Sequence, residues 1–145
     1  MSEENVEIVR HYLEGVEVEQ DTPARIAHYW EADGDYYPVR RFPEARPCHG
    51  RDEIASFLDD FLAVWESYSY AIKDVKRVAD DRVFVHGRIR AEGRASGMSL
   101  EGDIYHCFWL RHGRFIRVED HLTADGAIRA LGLSGDALKA AGLSE

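Results

Sequence analysis

The chain has 145 residues, of which 45% are hydrophobic and lie in short runs, and its formal net charge is −9. A single domain of this size can bury most of the surface its unfolded form exposes, and no run nears the roughly 18 consecutive apolar residues of a membrane span. The acidic balance argues against nucleic acid, whose phosphates need clustered Lys and Arg, and favours small molecules as partners.

The acidic start Met1-Ser2-Glu3-Glu4-Asn5 leads into a helical pattern and is unlike a secretory signal, so a cytoplasmic location is expected. From Glu3 to Glu19 the positions Val6, Val9, Leu13 and Val16 form the stripe of an amphipathic helix, with Tyr12 beside it. Asp21-Thr22-Pro23 supplies a cap and a first-turn proline for a second helix, whose buried face holds Ile26, Ala27 and Trp30. Between Asp33 and Gly50 stand three of the four prolines together with Tyr36, Tyr37 and Phe42, which predicts a long loop with at most one short strand. Arg40, Arg41 and Arg46 make this loop basic, and solvation alone accounts for them. The third helix follows Arg51-Asp52-Glu53, with Ile54, Phe57, Leu58, Phe61, Leu62 and Trp65 at helical spacing.

After Ser67 the period becomes two, and turn signals at Asp80-Asp81, Ser96-Gly97 and His112-Gly113 cut the rest into four strands, 68–79, 82–95, 98–111 and 114–123. The middle strands are long, and Gly87, Gly93 and Gly102 are natural bends, so the meander should curve. Two-residue turns fix the register by counting. Arg88 then falls opposite Tyr105, and Tyr105 opposite Asp120. One face collects Phe84, His86, Arg88, Tyr105, Cys107, Trp109, Ile116, Val118, Asp120 and Leu122. The other collects Val83, Val85, Ile89, Ile104, His106, Phe108, Leu110, Phe115, Arg117, Glu119 and His121; a single bulge would exchange members between them. Both faces are apolar, so helices should cover one and a second copy of the chain the other, giving a homodimer through the sheet. At the end, Ala127-Ile128-Arg129-Ala130-Leu131-Gly132-Leu133 is echoed by Ala137-Leu138-Lys139-Ala140-Ala141-Gly142-Leu143, two short helices each closed by a Gly cap.

The expected architecture is thus an α+β cone-shaped roll over 1–145, with three N-terminal helices on the concave face of a curved antiparallel sheet. Its pocket wall would carry His86, Arg88, Tyr105 and Asp120, with Trp109 and Val118 beside them, while Tyr12, Trp30 and Trp65 approach from the helices. Seven histidines suggest a metal, but His86 and Asp120 face away from His106 and His121; neither a metal nor any other cofactor is expected. Cys48 and Cys107 form no redox or metal pair and are expected as reduced thiols.

This order of elements resembles the nuclear-transport-factor-2-like superfamily, particularly its SnoaL-like and ketosteroid-isomerase-like branch. The stretches that carry the resemblance are Cys48-His49-Gly50-Arg51-Asp52-Glu53-Ile54, His112-Gly113-Arg114-Phe115-Ile116 and Ala127-Ile128-Arg129-Ala130-Leu131-Gly132-Leu133. The isomerase pattern implies an oxyanion donor at Tyr12, places Tyr105 where the isomerases carry an acid, and puts the base near Tyr37, where only Asp35 offers a carboxylate. The SnoaL pattern instead implies that Asp120 is the acid/base group. A desolvated Asp120 would suit proton abstraction beside a carbonyl, with Tyr12 and Tyr105 holding the enolate and His86 or Arg88 assisting. A structural Asp120–Arg88 ion pair is the alternative. The resemblance implies a cofactor-free cyclase or isomerase acting on a small hydrophobic polyketide or steroid-like ligand, or else a non-catalytic domain that binds a ligand or partner in the same fold. Epoxide-hydrolase chemistry would require a second carboxylate.

Overall fold

The computed structural model describes residues 2–15, 22–42, 45–95 and 97–143. It is an α+β fold in which five helices flank a curved six-stranded sheet. The first helix, α1 (Ser2–Glu14), buries Val9, Tyr12 and Leu13 as its spacing requires. Its expected continuation through Val16 to Glu19, and the cap at Asp21, lie outside the described residues. Helix α2 (Thr22–Tyr29) carries Pro23 in its first turn and buries Ile26.

Trp30 is not the end of that helix but the first residue of strand β1 (Trp30–Tyr37), so the expected long loop begins as strand. A second strand, β2 (Cys48–His49), pairs with it across the sheet edge. Gly50, at a φ of 85° that a side chain would strain, turns the chain into α3 (Arg51–Ala63). Trp65, expected on α3, instead opens β3 (Trp65–Ala79); β4 (Arg82–Gly93), β5 (Ser99–Arg111) and β6 (Arg114–His121) complete the meander. The sheet order is β2-β1-β6-β5-β4-β3, antiparallel except where β1 runs parallel to β6.

The hairpin turns at Asp80-Asp81 and His112-Gly113 form as expected, the latter with both residues at positive φ, 52° and 75°. The β4–β5 connection differs. Glu92 already pairs with Ser99, so the turn is wider than two residues and Tyr105 lies opposite His86 rather than Arg88. A shift of two leaves the faces unchanged.

The next hairpin carries the consequential departure. Leu110 pairs with Phe115, but Trp109 pairs with Arg117, which leaves Ile116 as a bulged residue on β6. Every later β6 side chain therefore changes face. Asp120 stands opposite His106, not Tyr105, and the pairing counted from the sequence is corrected by that one extra residue.

The main core lies on the concave side, where Val83, Val85, Ile89, Ile104, Phe108, Leu110, Phe115 and Val118 meet Val9, Tyr12, Ile26, Ile54, Phe57 and Phe61. Each such side chain contributes about 1.5–3 kcal/mol by leaving water. The convex side is covered in part by the chain itself. Helices α4 (Ala124–Leu131) and α5 (Gly135–Ala140) fold back there, and Ala127 and Leu131 pack with Val78, Phe84 and Cys107. Thr123 and Ser134 cap these helices, and Gly132 closes α4 in the left-handed conformation. Among the described residues no helix is long and apolar enough to cross a membrane.

Candidate functional site

The β6 bulge brings Asp120 to the concave side, where three strands converge on it. His106, its partner on β5, places Nδ1 2.6 Å from Asp120 Oδ1. Tyr36, from the parallel strand β1, donates its hydroxyl to Asp120 Oδ2 at 2.5 Å. The His106 and Asp120 side chains are only 9% and 3% exposed, so both are removed from bulk water.

An ionised carboxylate only accepts hydrogen bonds, so His106 Nδ1 carries the proton that faces it, and a neutral imidazole then has a bare Nε2. His106 Nε2 is buried and has no hydrogen-bond partner among the described residues. The arrangement is an oriented imidazole backed by a carboxylate that Tyr36 also holds, which can accept or return a proton at Nε2.

A cavity of about 70 Å³ adjoins this group, lined by Tyr12, Trp30, Tyr36, Phe57, Tyr68, Tyr70, His106, Phe108, Val118 and Asp120 among others. Trp30 Nε1 donates to the Tyr12 hydroxyl at 3.3 Å, which leaves the Tyr12 proton able to meet a ligand oxygen. Burial pushes the Tyr12 phenol up, so it stays a neutral donor. Tyr36 is pushed well above its ordinary value by burial and by the Asp120 carboxylate. Tyr70 is raised by burial too, and its ring lies 5.7 Å from that of His106. Gly87 makes room for Tyr70, since a Cβ there would overlap the Tyr70 hydroxyl.

Of the residues expected in the pocket, Asp120, Tyr12, Trp30 and Val118 line it. His86, Arg88, Tyr105 and Trp109 do not; they stand on the convex face. There His86 stacks on Tyr105 with ring centroids 4.7 Å apart, and Arg88 reaches Asp103 and Glu101. No Asp120–Arg88 pair forms, because the bulge puts the two on opposite sides. Tyr37 borders a shallower cleft that Asp120 also reaches, beneath the Arg117 guanidinium. Asp35 bonds His49 at the surface instead of facing the cavity.

Trp65 lines a larger outer cleft of about 500 Å³, together with Arg41, Met98, Leu100 and Leu122. The two cavities share Phe42, Ile89 and Ile104 as a common wall. Cys48 and Cys107 are buried free thiols, raised to about 11 and about 12 chiefly by burial, which makes them poor nucleophiles. Among the described residues no three His, Cys, Asp or Glu side chains converge as a metal would need.

Sequence reasoning missed His106, Tyr36 and Tyr70. His106 stands on its expected face, and the single bulge that would exchange members between the faces is what moves Asp120 to it.

A family model described as a SnoaL-like domain matches residues 9–118. No curated protein matches the chain. Among solved structures, a nuclear-transport-factor-2-like protein of unknown function from Burkholderia pseudomallei K96243 is 21% identical with a TM-score of 0.71, over 87% of this chain and 95% of that one. TerC, co-crystallised with polyporic acid, is 18% identical with a TM-score of 0.69, over 90% and 99%. A protein from Jannaschia species CCS1, named for its likeness to SnoaL polyketide cyclases, is 15% identical with a TM-score of 0.70, over 90% and 93%. At these identities the likeness is one of fold.

Proposed function

The chain belongs to the SnoaL-like domain family, and on that premise we propose that it is a cofactor-independent acid/base enzyme acting beside the carbonyl of a small hydrophobic compound. The observation that carries this reading is the buried His106–Asp120 pair with Nε2 left bare beside an apolar cavity. His106 Nε2 takes a proton from the carbon next to the carbonyl. The electron pair of that C–H bond moves toward the oxygen, giving an enolate that the Tyr12 hydroxyl stabilises. His106 keeps its Nδ1 proton, donated in a hydrogen bond to Asp120, and the ionised Asp120 balances the imidazolium that forms. Where a C=C bond is conjugated with the enolate, return of the proton to its far carbon gives an isomer; attack of the enolate carbon on a second carbonyl of the same molecule closes a ring, and the alkoxide so formed takes the proton back from His106 Nε2. That TerC was co-crystallised with polyporic acid is in keeping with a small-molecule ligand for this fold.

The test is exchange of the carbonyl-adjacent protons of 2-heptanone in D₂O, followed by proton NMR. Asp120→Asn and His106→Gln should each slow exchange by about 10²–10⁴-fold. Exchange by either variant at the wild-type rate would sink the reading. The small volume of the inner cavity favours a second reading, a binding protein without turnover; ligand-induced shifts without exchange would establish it.

A second copy of the chain remains our proposed partner for the convex surface around His86, Arg88 and Tyr105 that α4 and α5 leave open. Sedimentation of wild type against Tyr105→Asp would test it.

A further inference from the structure

Volume decides how a ligand can sit here. An apolar cavity of about 150 Å³ is what benzene occupies in a protein core. The inner cavity is about 70 Å³, so with Phe42 in place it admits a carbonyl and one or two carbons, not a ring. The outer cleft, about 500 Å³, holds a much larger body and is divided from the inner cavity by the side chains that line both, Phe42, Ile89 and Ile104. Its rim carries the two large hydrophobic residues that are exposed among those described, Met98 at 41% and Leu122 at 40%.

Charge adds a second constraint. Arg41 lines this outer cleft and makes no ion pair or hydrogen bond among the described residues. The acidic residues that border the cleft, Glu101 and Asp103, are already engaged by Arg88 at 3.5 and 3.3 Å. An otherwise acidic chain therefore presents, among the described residues, a cation without a bonded counter-charge in this cleft. Trp65 adds an indole N–H that is buried without a partner among the described residues.

We propose that the ligand is an elongated anionic ketone: a methyl-ketone tip beside His106, an apolar body along Leu100, Leu122 and Met98, and a carboxylate at Arg41. This rests on the acid/base reading for the tip alone. It replaces a fused polyketide or steroid-like ring, which the inner cavity cannot take, by a chain slender enough to reach it by turning Phe42 aside.

The probes are 5-oxohexanoate, 7-oxooctanoate and 9-oxodecanoate with their methyl esters, and binding is read from tryptophan fluorescence of the full chain. Affinity should rise about three- to fourfold per methylene. The longest carboxylate, 9-oxodecanoate, should bind about two- to fivefold more tightly than its ester, a margin abolished by Arg41→Gln and by high salt. Leu122→Asp should weaken 9-oxodecanoate and leave 5-oxohexanoate unchanged. Affinity that ignores chain length, or an acid-over-ester margin that survives in Arg41→Gln, would overturn the proposal. Length-dependent binding without deuterium exchange would refute the enzyme and keep this ligand; exchange without length dependence would do the reverse.

Discussion

The sheet carries a histidine–aspartate pair on each of its faces, and the two could hardly differ more. On the concave side His106 and Asp120 are 2.6 Å apart and almost wholly buried. On the convex side His86 and Asp103 are 3.3 Å apart, with side chains 31% and 47% exposed. Water screens the outer pair, and Arg88 competes for its carboxylate. Among the described residues the inner pair has no such competitor, and Tyr36 satisfies the remaining carboxylate oxygen. The same two residue types are surface decoration in one place and a chemical group in the other, and the difference lies in what covers them.

The largest contrast should appear on truncating the acids. Asp120→Ala strands a buried imidazole and a buried phenol, and urea unfolding should show a loss of about 3–5 kcal/mol. Asp103→Ala should leave the unfolding midpoint unchanged. Equal losses from the two would show that burial does not separate the pairs.

A smaller contrast concerns the support behind each pair. Gly87→Ala places a methyl where the Tyr70 hydroxyl now lies, and should cost about 1–3 kcal/mol and perturb His106 in NMR spectra. Gly102→Ala meets nothing within 4 Å and should show neither effect. A silent Gly87→Ala would mean that Tyr70 does not brace the site.

The smallest effect is the pH response of the outer pair. The His86 imidazole beside Asp103 holds its carboxyl below the usual carboxylate range. Whatever the pair contributes is therefore complete above pH ~3.9 and disappears as pH falls through the lower folded-state value. NMR titration of Asp103 should show the depression in wild type and its reduction in His86→Gln.

Much of this was legible from local patterns. Period-two alternation and the turns at Asp80-Asp81 and His112-Gly113 place four strands within three residues of their observed ends, because those signals are local and steric. Alternation also sorted β4 and β5 correctly into two faces. It could not say which is concave, since Phe84, Tyr105 and Trp109 are as apolar as Val85, Ile104 and Phe108, and only the docking of α4 breaks the tie. The extra residue at Ile116 has no glycine or turn residue to mark it, and it alone moved Val118 and Asp120 across the sheet. Tyr36 reaches Asp120 only because β1 lies parallel to β6, a long-range pairing that no local pattern encodes.

That parallel pairing sets an order of assembly as well as a geometry. The meander can zip through short hairpins, but Tyr36 and Asp120 are 84 positions apart, and closing so long a loop carries a larger entropic cost. β1 is expected to dock last, onto a hairpin already made. The His106–Asp120–Tyr36 cluster is then the final piece to form, and a chain that displays it has finished folding.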